Sequence, residues 1–145
     1  MKRLASIIIC LMAIISLSAQ DLVSEDCFEE SILTSKSVTA VKVKGERLKA
    51  YKLSSFKSIT VNNNKRLANW VTNRVMCDAA TANDREESIK NGKLQYGFYI
   101  FGKSKANHQY IFFRNNKPDE DAVTDVTLVI MKGKASFAEL KKMFK

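Results

Sequence analysis

The chain carries one literal nucleotide-binding pattern. Gly97-Phe98-Tyr99-Ile100-Phe101-Gly102-Lys103-Ser104 fits G-x-x-x-x-G-K-[ST] letter for letter. A phosphate loop needs a compact turn after a strand and a helix starting at the lysine, so that backbone N–H groups converge on the anion. Here the four inner residues are bulky and strand-forming, and Tyr110–Phe113 beyond them is again strand-like. The pattern therefore reads as a hairpin turn. Tyr96–Phe101 also has the aromatic spacing of a base-stacking RNA-binding strand, but the same spacing fills the core of a sheet, so no nucleic-acid partner is expected.

Other groups of reactive side chains are incomplete. Asp119-Glu120-Asp121 with Asp125 shares only acidity with a calcium loop, lacking the D-x-[DN]-x-[DN]-G order and the closing Glu. Asp84, Glu86 and Glu87 supply carboxylates, yet glycoside hydrolysis needs two of them held at a defined separation in a cleft. His108 and Ser104 lack the G-x-S-x-G elbow that exposes a nucleophile. With one histidine in 145 residues there is no ligand cluster to count. These residues imply no catalytic group, no cofactor and no metal.

The N-terminus sets the compartment. Met1-Lys2-Arg3 is a short basic head, Leu4–Leu17 is almost unbroken apolar chain, and Ser18-Ala19-Gln20 closes it with small residues. That is the layout of a secretory signal peptide. The apolar run is shorter than the ~20 residues of a spanning helix. Cys10 follows Ile9 inside that run, which does not fit a lipid-attachment cysteine. Residues 1–19 read as a cleaved leader and 20–145 as one soluble domain, periplasmic or extracellular, with no membrane anchor after cleavage.

Loss of Lys2 and Arg3 takes 24 basic residues to 22, against 15 acids, for a mature charge near +7. Such a charge favours an anionic envelope component or an acidic protein face, and it also serves solubility. Cys27 and Cys77 survive cleavage. In an oxidising compartment they read either as one disulfide, stabilising by ~2–4 kcal/mol, or as two buried thiols.

The elements that must position these residues follow from periodicity. Asp21–Leu33 is loosely helical. Val38–Lys44 alternates, with Val41 and Val43 opposite Lys42 and Lys44, and predicts a strand with one wet face. Ser54–Val61 predicts a second strand. Asn64 caps a helix over Lys65–Ala80 whose apolar face is Leu67, Trp70, Val71 and Val75, and Cys77 lies on Trp70's side of it. Thr81–Lys93 reads as a charged loop with a helical turn, although Asn91-Gly92 is a turn pair. Leu94–Phe101 and Tyr110–Arg114 predict strands, with Leu94, Tyr96, Phe98 and Ile100 sharing a face. Val123–Met131 is apolar on both sides and belongs at the centre of a sheet. Ser136-Phe137-Ala138-Glu139 is a capping box opening a last helix.

The order α-β-β-α-β-β-β-α predicts an α+β domain. Its antiparallel sheet would have about five strands, with helices mainly on one face. Tyr99, Phe101, Ile111 and Phe113 share a strand face. With helices only on the opposite face they form an exposed aromatic binding patch; with a helix over them they are core. Lys42 and Lys44 complete the expected binding surface.

Val41-x-Val43-x-Gly45, Leu48, Tyr51-x-Leu53 and Phe56-x-Ser58 stand in the chain's first half, and Val126–Met131, Gly133 and Leu140-Lys141-Lys142-Met143-Phe144 in its second. In these residues the chain resembles a group of small exported proteins of unknown function from Gram-negative anaerobes. The resemblance implies a class of exported domain and supplies no catalytic residues. The expectation is a non-catalytic binding module of the cell envelope. The alternatives are a small envelope hydrolase and an accessory subunit of an envelope complex.

Overall fold

A computed structural model of the chain describes residues 21–102 and 107–143. The predicted leader, Lys103, Ser104 and Phe144 lie outside the described residues. A 3-10 segment, Val23–Phe28, precedes the short α1, Glu30–Leu33. Strand β1, Val38–Lys44, is followed by a second 3-10 segment, Glu46–Tyr51, and by β2, Leu53–Val61. Helix α2, Lys65–Ala79, leads into β3, Asp84–Lys90, β4, Lys93–Phe101, β5, His108–Asn115, and β6, Val126–Gly133. Helix α3, Phe137–Met143, ends the described chain.

The strands form one six-stranded sheet in the order β1-β2-β6-β5-β4-β3. Every neighbouring pair is antiparallel. The last four strands form a meander, and β6 returns to pair with β2. The predicted α+β class, the meander and the interior place of the two-sided apolar strand all hold. The sheet has six strands and not about five, because β3 occupies the segment read as a loop. All seven β3 residues are exposed, so no apolar alternation marks it. Backbone pairing with β4 makes it a strand, closed by the Asn91-Gly92 turn. Both turn residues have positive φ, 54° and 74°, the left-handed pair that matches strand twist in a two-residue hairpin.

Both faces of the sheet are covered, which corrects the expectation of helices mainly on one side. Helix α2 and the N-terminal 3-10 segment lie over Ile59, Val61, Tyr99, Phe101, Ile111, Phe113, Leu128 and Ile130. Helix α3 and the second 3-10 segment lie over Phe98, Tyr110, Phe112, Val129 and Met131. The α2 line turned inward is Ala68, Val71, Val75 and Ala79, with Leu67 and Trp70 half-buried at its flank. Asn64 caps α2 by accepting from the Leu67 N–H at 3.0 Å. The capping box of α3 forms in both directions: the Glu139 N–H donates to Ser136 Oγ at 3.1 Å, and the Ser136 N–H to Glu139 Oε1 at 3.2 Å.

One bulge reassigns a residue. Ser88 pairs with Tyr96 but Ile89 pairs with Leu94, so Gln95 is an extra residue in β4. A single insertion reverses strand parity. Leu94 therefore packs on the α2 side, not with Tyr96, Phe98 and Ile100 as its spacing predicts. Gly97 is needed where it stands, since a Cβ there would run into the Tyr99 ring lying over it.

Candidate functional site

The expected aromatic binding patch is core. Tyr99, Ile111 and Phe113 are fully buried and Phe101 nearly so, all beneath α2. The aromatics on the opposite face fare alike: Phe98 meets Phe137 of α3 edge-on at 4.9 Å and Phe112 at 6.1 Å. The Tyr99 hydroxyl donates to Glu87 Oε2 at 2.7 Å, and burial pushes its pKa up. Stacking of bases or sugar rings needs open ring faces, and these rings have none. The phosphate-loop pattern dissolves for a related reason. Gly97–Ile100 pairs with β3 on one side and Gly97–Phe101 with β5 on the other, so these backbone groups are spent on the sheet.

The Cys27–Cys77 bridge, one of the two readings of that pair, does not form. Cys27 is a free, fully buried thiol. Burial pushes it up to about 12, which leaves it a small apolar side chain and no nucleophile. Cys77 is disulfide-bonded, but not to Cys27. The phase of α2 explains the mismatch: Cys77 lies two residues beyond the inward Val75, about 200° round the helix, and is half-buried. Asp78, one residue on, faces the 3-10 segment. Its carboxylate accepts from the Val23 N–H at 2.8 Å and the Ser24 N–H at 2.7 Å, pinning the N-terminal segment to α2. Burial raises the Asp78 pKa, with the Ser24 and Val23 hydrogen bonds opposing the rise.

The remaining chemistry-bearing residues are dispersed. Asp125 is buried, accepts from Thr124 Oγ1 at 2.8 Å and from the Asn63 N–H at 3.2 Å, and has its pKa lowered first by the Thr124 bond. Asp119, Glu120 and Asp121 are exposed on the preceding turn. His108 packs on Tyr110 at 5.9 Å, and its buried Nδ1 has no hydrogen-bond partner among the described residues. Among the described residues no group of His, Cys, Asp and Glu can hold a metal.

Lysines, in contrast, are gathered. Lys42 faces Lys57 across β1 and β2, and Lys44 faces Ser55, which in turn faces Lys132 on β6. All lie on the α2 side of the sheet, at the corner that α2 leaves open. Two strand spacings put Lys44 and Lys132 ~10 Å apart at the backbone. Like charges directly opposite in a sheet are unfavourable, and the fold relieves one of them. Lys57 is half-buried, ion-paired with Glu25 and stacked 4.7 Å over Phe28. Lys42, Lys44 and Lys132 stay exposed, and none makes an ion pair among the described residues. A shallow depression beside Lys132 is lined by Leu22, Val23 and Glu25, with Asp26 3.5 Å from Arg74 on its wall. Lys132 was not singled out by its spacing, because Met131-Lys132-Gly133 reads only as the end of an apolar strand. The signal lies in the register, which a single sequence does not display.

No curated protein and no solved structure matches the chain. Among the described residues no helix is long and apolar enough to cross a membrane. A family model described as a family of unknown function, DUF6108, matches residues 11–144, and the chain belongs to that family.

Proposed function

We propose that this protein is an exported, non-catalytic binding module of the cell envelope that docks on an anionic surface through Lys42, Lys44 and Lys132. One observation carries the reading: Lys42, Lys44 and Lys132, exposed and without an ion pair among the described residues, are held on one face of paired strands around Ser55. The catalytic alternatives draw on residues that are scattered or committed to structure. Each lysine near an anionic headgroup layer contributes ~1 kcal/mol, so replacing all three should weaken binding ~100-fold. Co-sedimentation with vesicles containing anionic phospholipid should fall steeply between low and physiological salt, as exposed charges are screened. The Lys42→Gln, Lys44→Gln, Lys132→Gln variant should lose most of that binding. Binding that ignores both salt and the three substitutions rejects the proposal.

Among the described residues the hydrolase alternative has one supporting feature, the buried Nδ1 of His108, which has no hydrogen-bond partner there. It predicts that His108→Gln abolishes an ester- or glycoside-cleaving activity. The binding reading predicts that the same variant sediments with vesicles as the parent does.

A further inference from the structure

The α2 side of the sheet changes character along its strands. On β6 it runs through Val126, Leu128 and Ile130, all buried, to Lys132, which is exposed. On β2 it runs from buried Val61 and Ile59 to half-buried Lys57 and Ser55. Register joins the polar ends in one row, with Lys44 opposite Ser55 and Ser55 opposite Lys132. Lys42 is a diagonal neighbour of Ser55, ~7–8 Å away at the backbone. Strand β2 is bulged at this point. Leu53 pairs with Gly133 but Ser55 pairs with Lys132, so Ser54 is an extra residue. A bulge of this kind re-aims the side chains beside it. The Ser54 hydroxyl is engaged, donating to the Lys132 carbonyl at 3.3 Å. The Ser55 hydroxyl has no hydrogen-bond partner among the described residues.

We infer that this row seats a phosphomonoester, and so that the anionic surface proposed above, on which this assignment rests, is a lipid layer whose headgroups end in one. Three donors stand side by side: the Ser55 O–H and the Lys44 and Lys132 ammonium groups. Each lysine is one strand spacing from Ser55, ~4.8 Å, so both side chains can close over a group resting on that hydroxyl. A phosphomonoester brings three terminal oxygens and a charge of about −1.5 to −2. A phosphodiester brings one oxygen fewer and a single charge. Donor count and charge both match the monoester, one oxygen for each donor, with Lys42 adding a further cation from the diagonal. Ammonium-to-phosphate hydrogen bonds are of the strong, charge-assisted kind.

The neighbouring acids do not neutralise the row. On the wall of the adjoining depression, Glu25 is ion-paired with Lys57 and Asp26 with Arg74. That leaves Asp21 of the same wall against Lys42, Lys44 and Lys132. Strands β2 and β6 are interior, paired on both sides. Ser55 and Lys132 therefore stand on backbone that binding does not have to order, which lowers the cost of recognition.

Co-sedimentation with two kinds of vesicle tests the inference. One contains phosphatidic acid, a phosphomonoester; the other contains phosphatidylglycerol, a phosphodiester, at a content that gives the same total surface charge. The parent should bind the first at least ~10-fold more tightly. Ser55→Ala and Lys132→Gln should each bring that preference toward parity, and thermal melting checks that both are folded. Inorganic phosphate should displace the parent from phosphatidic acid vesicles better than chloride does at equal ionic strength. Equal binding to the two vesicles overturns the inference and leaves the surface reading standing. It does so even where phosphate outcompetes chloride, since the ligand is then the free anion. Binding to neither vesicle overturns both readings. A preference that survives both substitutions, or displacement by phosphate no better than by chloride, also overturns the inference.

Discussion

The β4–β5 hairpin and the β1 edge have the same backbone geometry and opposite fates. Tyr99, Ile111 and Phe113 are sealed under α2, while Val41 of β1 is about half exposed. Hydropathy alone would expect the bulky aromatic strand and the valine strand to be buried alike. Position in the sheet separates them, since interior strands receive a helix on each face and an edge strand does not. The aromatic hairpin is therefore a stability element. The surface left for recognition is charged and lies where the sheet ends.

The sharpest way to break this comparison is to truncate one residue from each region. Phe113→Ala should cost ~3–5 kcal/mol, the range for a buried aromatic, whereas Val41→Ala should stay within ~0.5 kcal/mol. Urea unfolding measures both, and equal costs would place the aromatic face outside the core. Asp78→Ala should come next. It strands one buried and one half-buried amide of the 3-10 segment, worth ~1–3 kcal/mol, and should expose Val23–Phe28 to proteolysis before the sheet opens. Gly92→Ala should cost ~1 kcal/mol through its left-handed backbone alone, as open space surrounds the position. Protection from exchange should then fall first in β3.

Acid dependence gives a smaller and signed effect. The Asp125 pKa is lowered in the folded protein, so its contribution is present above the unfolded value of ~3.9 and is lost as pH falls through the folded one. Asp78 is raised, so its ionised form opposes folding. Its contribution is complete below ~3.9 and declines as pH rises through the folded value. Asp125→Asn should flatten the acid limb of the stability curve, and an unchanged limb would contradict the assignment.

Much of the fold was legible because burial leaves a period in the residues. Strand β1 and the capping box of α3 stand where their patterns place them, and α2 ends one residue before its predicted bound. The interior position of β6 follows from its two apolar faces. What stayed hidden is set by pairing, not by burial. Strand β3 has no buried residue to mark it, and only Asn91-Gly92 signals the hairpin. The bulge at Gln95 flips Leu94 without any trace in the spacing. The candidate site was half legible: alternation displays Lys42 and Lys44, but Lys132 joins them only through the β2–β6 register. Tyr99, Phe101, Ile111 and Phe113 were placed correctly on a shared face. Their exposure turned on where α2 packs, which the residue pattern left open.

Amide hydrogen exchange with and without anionic vesicles tests the central claim most directly, since it reads both regions in one sample. The account predicts slowed exchange across Val38–Lys44 on vesicle binding, with Tyr99–Phe101 and Ile111–Phe113 already slow and unchanged. Protection that appears in the β4–β5 hairpin while β1 stays unaffected would contradict it.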